Sequence, residues 1–470
     1  MRRTWSGLHS DPMHTFTPAE ARLARTLADY CLDRLAMNAP LDLPRTPGEL
    51  RRLAGSTVTD AGLGGEEALR LWADVLAPAC LSVDHPRYLS FIPGAPTKAA
   101  AAFDMLVGAS SVYGGSWLEG AGAVYAENQA LAWISALAGL PSGAGGVFVQ
   151  GGTIGNLSAL VAAREAVREA RATTPGQADL PARWAVCVTA ETHSSVKHAL
   201  RVVMDVDVIE VPGDERGRLV GSTLRAFVAE LPVPAQESIF AVVATAGSTN
   251  LGVIDDIAGI ADVAAERDWW LHVDGAYGGA ALAAPSARHL FAGVERADSF
   301  IVDPHKWLFA PYDCCALIYR DPARGRAAHT QHASYLDPLT VEGEWNPSDF
   351  AIQLTRRARG LPFWFSLATH GTDAYRDAVE QTLSVTRAGA QRIRSADHLR
   401  LLVEPDLSIL VFERLHWDAP DYARWSSELL HAQLAFVTPT SHRGRACTRF
   451  AVVNPTTTAD DLQMIIDSMR

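Results

Sequence analysis

Residues 299–307 read SFIVDPHKW, an apolar run that passes directly into charged residues. A short apolar run of this kind is typical of a strand that is buried in a parallel sheet. We therefore predict a strand at Ser299–Val302, which places Lys306 just beyond its carboxyl end. Functional groups collect at that edge of an open α/β sheet.

Similar apolar runs recur along the chain from about Gly145, separated by segments with helical periodicity. We predict further strands at Val147–Gln150, Trp184–Thr189, Val206–Val211, Ile239–Ala244 and Trp269–Val273, and another at Cys315–Tyr319 whose direction stays open. Helices are predicted at Thr153–Ala170, Ser195–Val203 and Asp256–Glu266. The alternation of strand and helix is typical of βαβ units, so the sequence predicts an α/β fold with a mostly parallel central sheet.

The chain is predicted to have three parts. Residues 1–90 form an N-terminal helical arm, and residues 91–365 form the large α/β domain. Residues 366–470 form a smaller C-terminal α+β domain, because their helical and strand patterns no longer alternate regularly. The polar stretch Tyr335–Phe350 lacks periodicity, and we predict a long loop there that acts as a lid.

Composition excludes several classes of protein. The chain has 470 residues, of which 48% are hydrophobic, so it can bury a large core. Its net charge of −12 argues against a nucleic-acid partner. The six cysteines form no CxxC pair, and no histidine stands at ligand spacing, so neither a metal site nor a disulfide framework is expected. No apolar run approaches the ~20 residues of a membrane span, and we expect a cytoplasmic protein.

Lys306 is the first candidate for chemistry. Desolvation at a partly buried strand end lowers the pKa of a lysine and favours the neutral amine, which can act as a nucleophile and form a Schiff base. The alternative for an isolated lysine is a side chain that extends into solvent.

Three other segments carry polar groups at strand ends. Asp274 follows an apolar strand, where a carboxylate can keep a pyridine nitrogen protonated or can simply cap the next loop. Residues 150–156 read QGGTIGN, a strand-to-helix turn that suits a phosphate or an ordinary tight turn. His193 precedes Ser194, a candidate helix N-cap, and can stack on a planar ring or be merely structural.

Together and in this order, these segments resemble the group II pyridoxal-phosphate-dependent amino-acid decarboxylases, over roughly Pro78 to Pro455. The resemblance implies the fold of pyridoxal-phosphate-dependent transferases, the aspartate aminotransferase-like fold type I. It implies pyridoxal 5'-phosphate (PLP) as the cofactor. It also implies a homodimer with an active site at the subunit interface.

The resemblance also implies a role for individual residues. Lys306 matches the Schiff-base lysine, His193 the histidine that stacks on the ring, and Asp274 the carboxylate that pairs with the pyridine nitrogen. Ala276 matches the residue on the opposite ring face, Thr245 contacts the cofactor, and the turn that cradles the phosphate contains Gly152, Thr153 and Ile154. Tyr335 resembles the loop tyrosine that protonates the substrate carbon, with His305, also beside the cofactor, as the less favoured donor.

The implied reaction is decarboxylation of an L-amino acid to the amine and CO2, with an aromatic or apolar side chain favoured. Two alternatives stay open. One is oxygen-dependent decarboxylation with deamination to an aldehyde, and the other is a non-catalytic relative that binds PLP. Asp303 stands where aromatic decarboxylases commonly have Asn near the phosphate, so we leave it outside the predicted phosphate site.

Overall fold

The computed structural model describes residues 13–173, 180–332, 334 and 343–470. It divides into two compact units, Met1–His85 and Pro86–Arg470. The first unit is helical and contains α1 (Pro18–Ala36), α2 (Pro47–Ala54) and α3 (Gly65–Leu71), with a π-helical turn at Trp72–Leu76.

Local signals explain where the first two helices begin. Thr17 and Thr46 each cap a helix whose first turn opens with proline, and each forms a capping box with a glutamate three residues later. Capping boxes satisfy amide groups that a helix leaves without an internal partner. Helices thus occur in the predicted N-terminal arm as α1, α2 and α3, and α3 continues into the π-helical turn.

The second unit contains the remaining elements. Its helices are α4 (Lys98–Ala109), α5 (Trp117–Leu137), α6 (Gly152–Thr173), α7 (Ser194–His198), α8 (Gly221–Ala229), α9 (Val233–Ser238), α10 (Ile257–Glu266), α11 (Pro285–Arg288), α12 (Pro304–Trp307), α13 (Pro322–His329), α14 (Leu361–Ser395), α15 (Ala419–His431) and α16 (Ala459–Asp467). A π-helical turn at Ala199–Val203 continues α7.

Within the described ranges, seven strands form the central sheet. They are β1 (Gly145–Val149), β2 (Ala185–Val188), β3 (Asp207–Glu210), β4 (Ile239–Thr245), β5 (Trp270–Asp274), β6 (Ser299–Val302) and β7 (Cys315–Tyr319), in the spatial order β1-β7-β6-β5-β4-β2-β3. Strand β7 pairs antiparallel with both β1 and β6, and the other pairs are parallel. The predicted α/β fold with a mostly parallel sheet is confirmed, and the open direction of Cys315–Tyr319 is antiparallel.

The central sheet has apolar side chains on both faces. Neighbouring residues of one strand point to opposite faces, and the core accordingly forms two clusters. Phe148 and Cys187 belong to one cluster, whereas Val147 and Val186 belong to the other. Burial on both faces explains why these strands read as continuous apolar runs.

A second sheet lies in the C-terminal part of the chain. Its strands are β8 (Leu399–Val403), β9 (Ile409–Arg414), β10 (Pro439–His442) and β11 (Arg445–Ala451), all antiparallel in the order β10-β11-β9-β8. Helices α15 and α16 share an apolar cluster with β9 and β11. The predicted smaller α+β part is therefore present, while the domain boundaries after residues 90 and 365 stay a prediction.

Among the residues that the structure describes, no helix combines the length and the apolar character needed to cross a bilayer. The predicted lid covers Tyr335–Phe350, of which residues 335–342 lie outside the described residues.

Candidate active site

A cavity of about 400 Å³ opens at the carboxyl ends of the parallel strands. The turn between β1 and α6 and the segments after β2, β4, β5 and β6 supply its walls. The lining residues include these predicted site residues: Gly152, Thr153, His193, Thr245, Asp274, Ala276, His305 and Lys306. Parallel strands bring their carboxyl ends to one edge, which explains how residues far apart in sequence meet here.

Lys306 lies in the short helix α12 and forms an ion pair with Asp303, with Nζ 2.8 Å from Oδ2. Burial alone would lower the pKa of Lys306, but the neighbouring Asp303 carboxylate outweighs burial and raises the pKa. The predicted lowering of this pKa is therefore wrong. Desolvation alone predicts a lower pKa, and the sequence does not show that a carboxylate lies beside the amine.

Asp303 is almost completely buried, with 2% of its side chain exposed. Burial would raise its pKa, but the positive charge of Lys306 and the hydrogen bond from its amine lower it. Asp303 therefore stays ionised and faces the lysine. This arrangement explains how an anion is accommodated at a position where the family commonly has Asn.

Asp274 ends β5 and presents its carboxylate to the cavity. Its Oδ1 accepts a hydrogen bond from the amide of Ala276 at 3.0 Å, and its Oδ2 accepts one from Nδ2 of Asn156 at 3.0 Å. Each carboxylate oxygen has further acceptor capacity. The carboxylate is thus held in a fixed orientation and can still accept a hydrogen bond from a donor in the cavity.

The turn before α6 leaves amide donors at the cavity. The amides of Ile154 and Gly155 donate to the Gly151 carbonyl at 3.0 Å. The amides of Gly152 and Thr153 stand at the start of α6, where the helix itself offers them no acceptor. A Cβ on Gly152 would lie 3.2 Å from both Ala276 Cβ and Asp303 Oδ2. Glycine therefore keeps this wall open. The side chain of Ile154 packs against the core, so its predicted role in the turn stays a prediction.

His193 is itself the N-cap of α7, which corrects the prediction that Ser194 is the cap. Its Nδ1 accepts a hydrogen bond from the amide of Ser195 at 3.2 Å and lies 2.7 Å from Ser195 Oγ. An imidazole nitrogen that accepts a hydrogen bond can replace the usual cap oxygen. The cap fixes the ring at the cavity wall, where it was expected.

His305 is held by a hydrogen bond to Cys314, the residue that precedes β7. Its Nδ1 lies 2.7 Å from the carbonyl oxygen of Cys314, and burial lowers its pKa. His305 therefore lines the cavity as a neutral ring. The other predicted proton donor, Tyr335, lies outside the described residues, and its role stays a prediction.

The cavity also contains residues that the sequence did not single out. Asn156 contacts Asp274, and Glu191, Tyr277 and Tyr312 belong to the wall. Asn156 falls inside the quoted glycine-rich segment, but nothing in the sequence signals that its side chain reaches Asp274. That contact depends on α6 and β5 lying side by side.

These residues fit PLP on observations of this structure. Among the described residues, Thr245 Oγ1 is buried at the cavity wall with no hydrogen-bond partner. A buried hydroxyl of this kind is suited to a ligand atom. The cavity offers an amine at Lys306, an oriented carboxylate at Asp274 and free amides at the start of α6. Its volume lies in the range of cofactor sites.

Comparisons with known proteins agree with this arrangement. The family model "Pyridoxal-dependent decarboxylase conserved domain" matches residues 47–415. The chain is 29% identical to an aromatic-L-amino-acid decarboxylase from Bacillus atrophaeus, covering 90% of this chain and 88% of the relative. It is 31% identical to an L-2,4-diaminobutyrate decarboxylase from Rhizobium meliloti (strain 1021), covering 87% and 82%.

Among solved structures, the chain is similar to Oryza sativa TDC, crystallised with PLP and tryptamine, with a TM-score of 0.84 and 25% identity. The likeness covers 97% of this chain and 99% of that chain. Both the fold type I architecture and the use of PLP follow from these matches. The chain therefore belongs to the pyridoxal-dependent decarboxylase family and is a PLP-dependent carboxy-lyase that acts on an amino acid.

Proposed function

We propose that this enzyme decarboxylates an L-amino acid with an aromatic or apolar side chain and releases the amine and CO2. The observation that carries the proposal is the convergence of Lys306, Asp274, His193 and Thr245 on one cavity. PLP, when bound, accepts the electrons that are released as the bond between the α-carbon and the carboxylate breaks.

Each residue has a defined task in this proposal. Lys306 holds the cofactor through Nζ and yields that position to the substrate amine. Asp274 would accept a hydrogen bond from the protonated ring nitrogen and so keep that proton in place, since its carboxylate already has a fixed orientation. His193 and Ala276, which both line the cavity, would hold the ring from its two faces.

The backbone and a hydroxyl complete the binding of the cofactor. The amides of Gly152 and Thr153, with Ile154 in the same turn, bind the phosphate at the positive end of α6. The hydroxyl of Thr245, which has no partner within the described part of the chain, would donate a hydrogen bond to the cofactor. Tyr335 returns a proton to the α-carbon, with His305 as the less favoured donor.

The cavity wall and the relatives support an uncharged side chain over an acidic one. Tyr312, whose side chain is exposed, offers aromatic surface, while the carboxylate of Glu191 would repel a second acidic group. The similar proteins include an aromatic-L-amino-acid decarboxylase and a "Tryptophan decarboxylase 1" from Oryza sativa subsp. japonica at 30% identity.

A second candidate is a diamino acid. The relative with 31% identity acts, by its name, on L-2,4-diaminobutyrate. Glu191 favours this candidate, because a carboxylate at the wall can pair with a substrate ammonium group. Burial raises the pKa of Glu191, and nearby Lys197 partly offsets that effect.

Product analysis separates the candidates. The PLP-loaded enzyme is incubated with the common L-amino acids and L-2,4-diaminobutyrate, and amines, aldehydes and peroxide are measured in parallel. An aromatic amine without peroxide supports the proposal, and a diamine product that Glu191→Gln suppresses selects the second candidate. An aldehyde with equimolar peroxide would assign the oxidative reaction instead. Lys306→Ala serves as the inactive control.

We also propose that the enzyme works as a homodimer. Support comes from Met105, Leu106, Leu118 and Tyr125, large apolar residues on α4 and α5 that are exposed in the single chain. Exposed apolar side chains on neighbouring helices are typical of surfaces that a partner covers. Light scattering on the purified protein tests this, and a monomer at micromolar concentration would contradict it.

A further inference from the structure

A row of buried polar side chains runs from Asp274 into the interior of the sheet. Asn156 Nδ2 donates to Asp274 Oδ2 at 3.0 Å, and Asn156 Oδ1 lies 2.7 Å from His272 Nε2. His272 Nδ1 lies 2.8 Å from Ser299 Oγ, which also accepts from Trp270 Nε1 at 2.8 Å. Each of the five residues is at most 5% exposed.

The two ends of this row fix the direction of every hydrogen bond. An ionised Asp274 only accepts, so the Asn156 amide must turn its NH2 group toward it and its oxygen toward His272. An indole only donates, so Trp270 N–H points to Ser299 Oγ, and the Ser299 hydroxyl is free to donate to His272 Nδ1. His272 therefore carries its proton on Nε2 and donates to Asn156.

We propose that Asn156 and His272 are positioning residues that aim the Asp274 carboxylate at the ring nitrogen of PLP, with Ser299 and Trp270 fixing the tautomer of His272. Asn156 and the amide of Ala276 each occupy one side of the carboxylate. The remaining acceptor positions face the cavity. Without the row, Asp274 loses the donor that holds Oδ2.

The composition of the row distinguishes this role from ordinary core packing. His272, Ser299 and Asn156 lie between strands and a helix whose other buried residues are mostly apolar, and burying polar groups there is unfavourable unless all are paired. Burial also lowers the pKa of His272 to about 4, so the ring is neutral near pH 7. A neutral ring with a fixed tautomer can hold the Asn156 amide in one orientation without adding a charge near Asp274.

The test compares cofactor binding in variants of the full chain. His272→Phe removes the donor to Asn156, and His272→Gln places an amide donor near the former Nε2. PLP affinity is measured by titrating the cofactor-free protein and following tryptophan fluorescence. The absorption spectrum of the PLP-loaded protein is recorded against pH. We expect the dissociation constant of PLP to rise about tenfold in His272→Phe and to return toward the original value in His272→Gln. The spectral titration, that is, the change of the absorption spectrum with pH, should have a shifted midpoint in His272→Phe.

A control separates positioning from stability. Thr386 is a fully buried threonine in α14 whose hydroxyl donates to the Thr382 carbonyl at 2.8 Å, and it does not line the cavity. Thr386→Val should lower thermal stability and leave PLP affinity and the spectrum unchanged. If folded His272→Phe binds PLP as tightly as the original protein, with the same spectral titration, the proposal is overturned.

A second variant decides the matter if His272→Phe does not fold. Ser299→Ala leaves the ring in place and removes the hydroxyl that fixes its tautomer. A weaker PLP affinity and a shifted spectral titration, both in the same direction as expected for His272→Phe, support the proposal. Unchanged values in Ser299→Ala overturn it.

Discussion

Lys306 and Asp303 show how one neighbour reverses the effect of burial on a titratable group. Attachment of the cofactor needs the neutral amine, because only a free electron pair can attack a carbonyl carbon. The ion pair holds the amine in its protonated form, since it raises the pKa of Lys306. The rate of PLP attachment to the cofactor-free enzyme should therefore increase with pH.

Asp303→Asn tests this relation. The variant removes the negative charge, so burial then lowers the pKa of Lys306 and the neutral amine exists at lower pH. We expect PLP attachment, followed by absorbance after mixing with cofactor-free protein, to show its pH midpoint at a lower pH than in the original chain. An unchanged midpoint would show that Asp303 does not control the proton on Lys306.

Among single elements, α5, β1 and the start of α14 are joined by a buried ion pair. Arg356 contacts both carboxylate oxygens of Glu127, at 2.8 and 3.0 Å, and also the carbonyl oxygen of Phe148 at 3.1 Å. The amide of Gly360 donates to the same carboxylate at 2.8 Å. Both side chains of the pair are almost fully buried.

Glu127→Gln should therefore destabilise the fold strongly, because it leaves the Arg356 charge buried without its partner. The expected loss in the free energy of unfolding is about 3–5 kcal/mol, measured by denaturant titration. The matched control is Glu266→Gln, which breaks the exposed pair with Arg225 and should change the free energy of unfolding far less, because water screens the two charges. Equal losses in the two variants would contradict the structural role of the buried pair.

The elements that the sequence predicts are those whose pattern reflects burial directly. All seven strands of the central sheet were expected, and burial on two faces leaves continuous apolar runs in most of them. The edge strand β3 is the exception, since it is only partly buried and has charged residues at both ends. The pattern does not predict α5, since much of its buried face consists of small residues and Glu127, whereas Leu118 and Tyr125 are exposed. Strand β10, with the sequence PTSH, is held by pairing with β11 rather than by apolar residues.

The same distinction applies to the site. Lys306, Asp274, His193 and Thr245 end predicted strands or follow them, so the topology of a parallel sheet brings them to one cavity. The contact between His272 and Asn156 joins residues that are 116 positions apart. It depends on how α6 packs on the sheet, which no local pattern encodes.

For the molecule as a whole, His272 links the site to the pH dependence of stability. Burial lowers its pKa to about 4 in the folded state, whereas an unfolded histidine titrates near 6.5. Between these values the unfolded chain binds more protons, so the free energy of unfolding falls as pH decreases from about 6.5 to about 4. The contribution of this one group is about 3 kcal/mol.

His272→Gln removes the titrating group and should flatten the stability profile over this range. Denaturant titrations of both proteins at several pH values between 4 and 7 measure the difference. Stability profiles with the same slope would show that the acid sensitivity of the chain comes from other groups.

The attachment point of the cofactor decides whether Lys306 is the residue that holds PLP. The sequence contains three lysines, Lys98, Lys197 and Lys306, of which Lys306 lines the cavity. The PLP-loaded enzyme is reduced with borohydride, which makes the link to lysine permanent, and its peptides are analysed by mass spectrometry. We predict that the cofactor mass lies on Lys306 alone and that Lys98→Arg and Lys197→Arg leave the labelling unchanged. Label on Lys98 or Lys197, or active enzyme without label on Lys306, would show that Lys306 is not the residue that holds the cofactor.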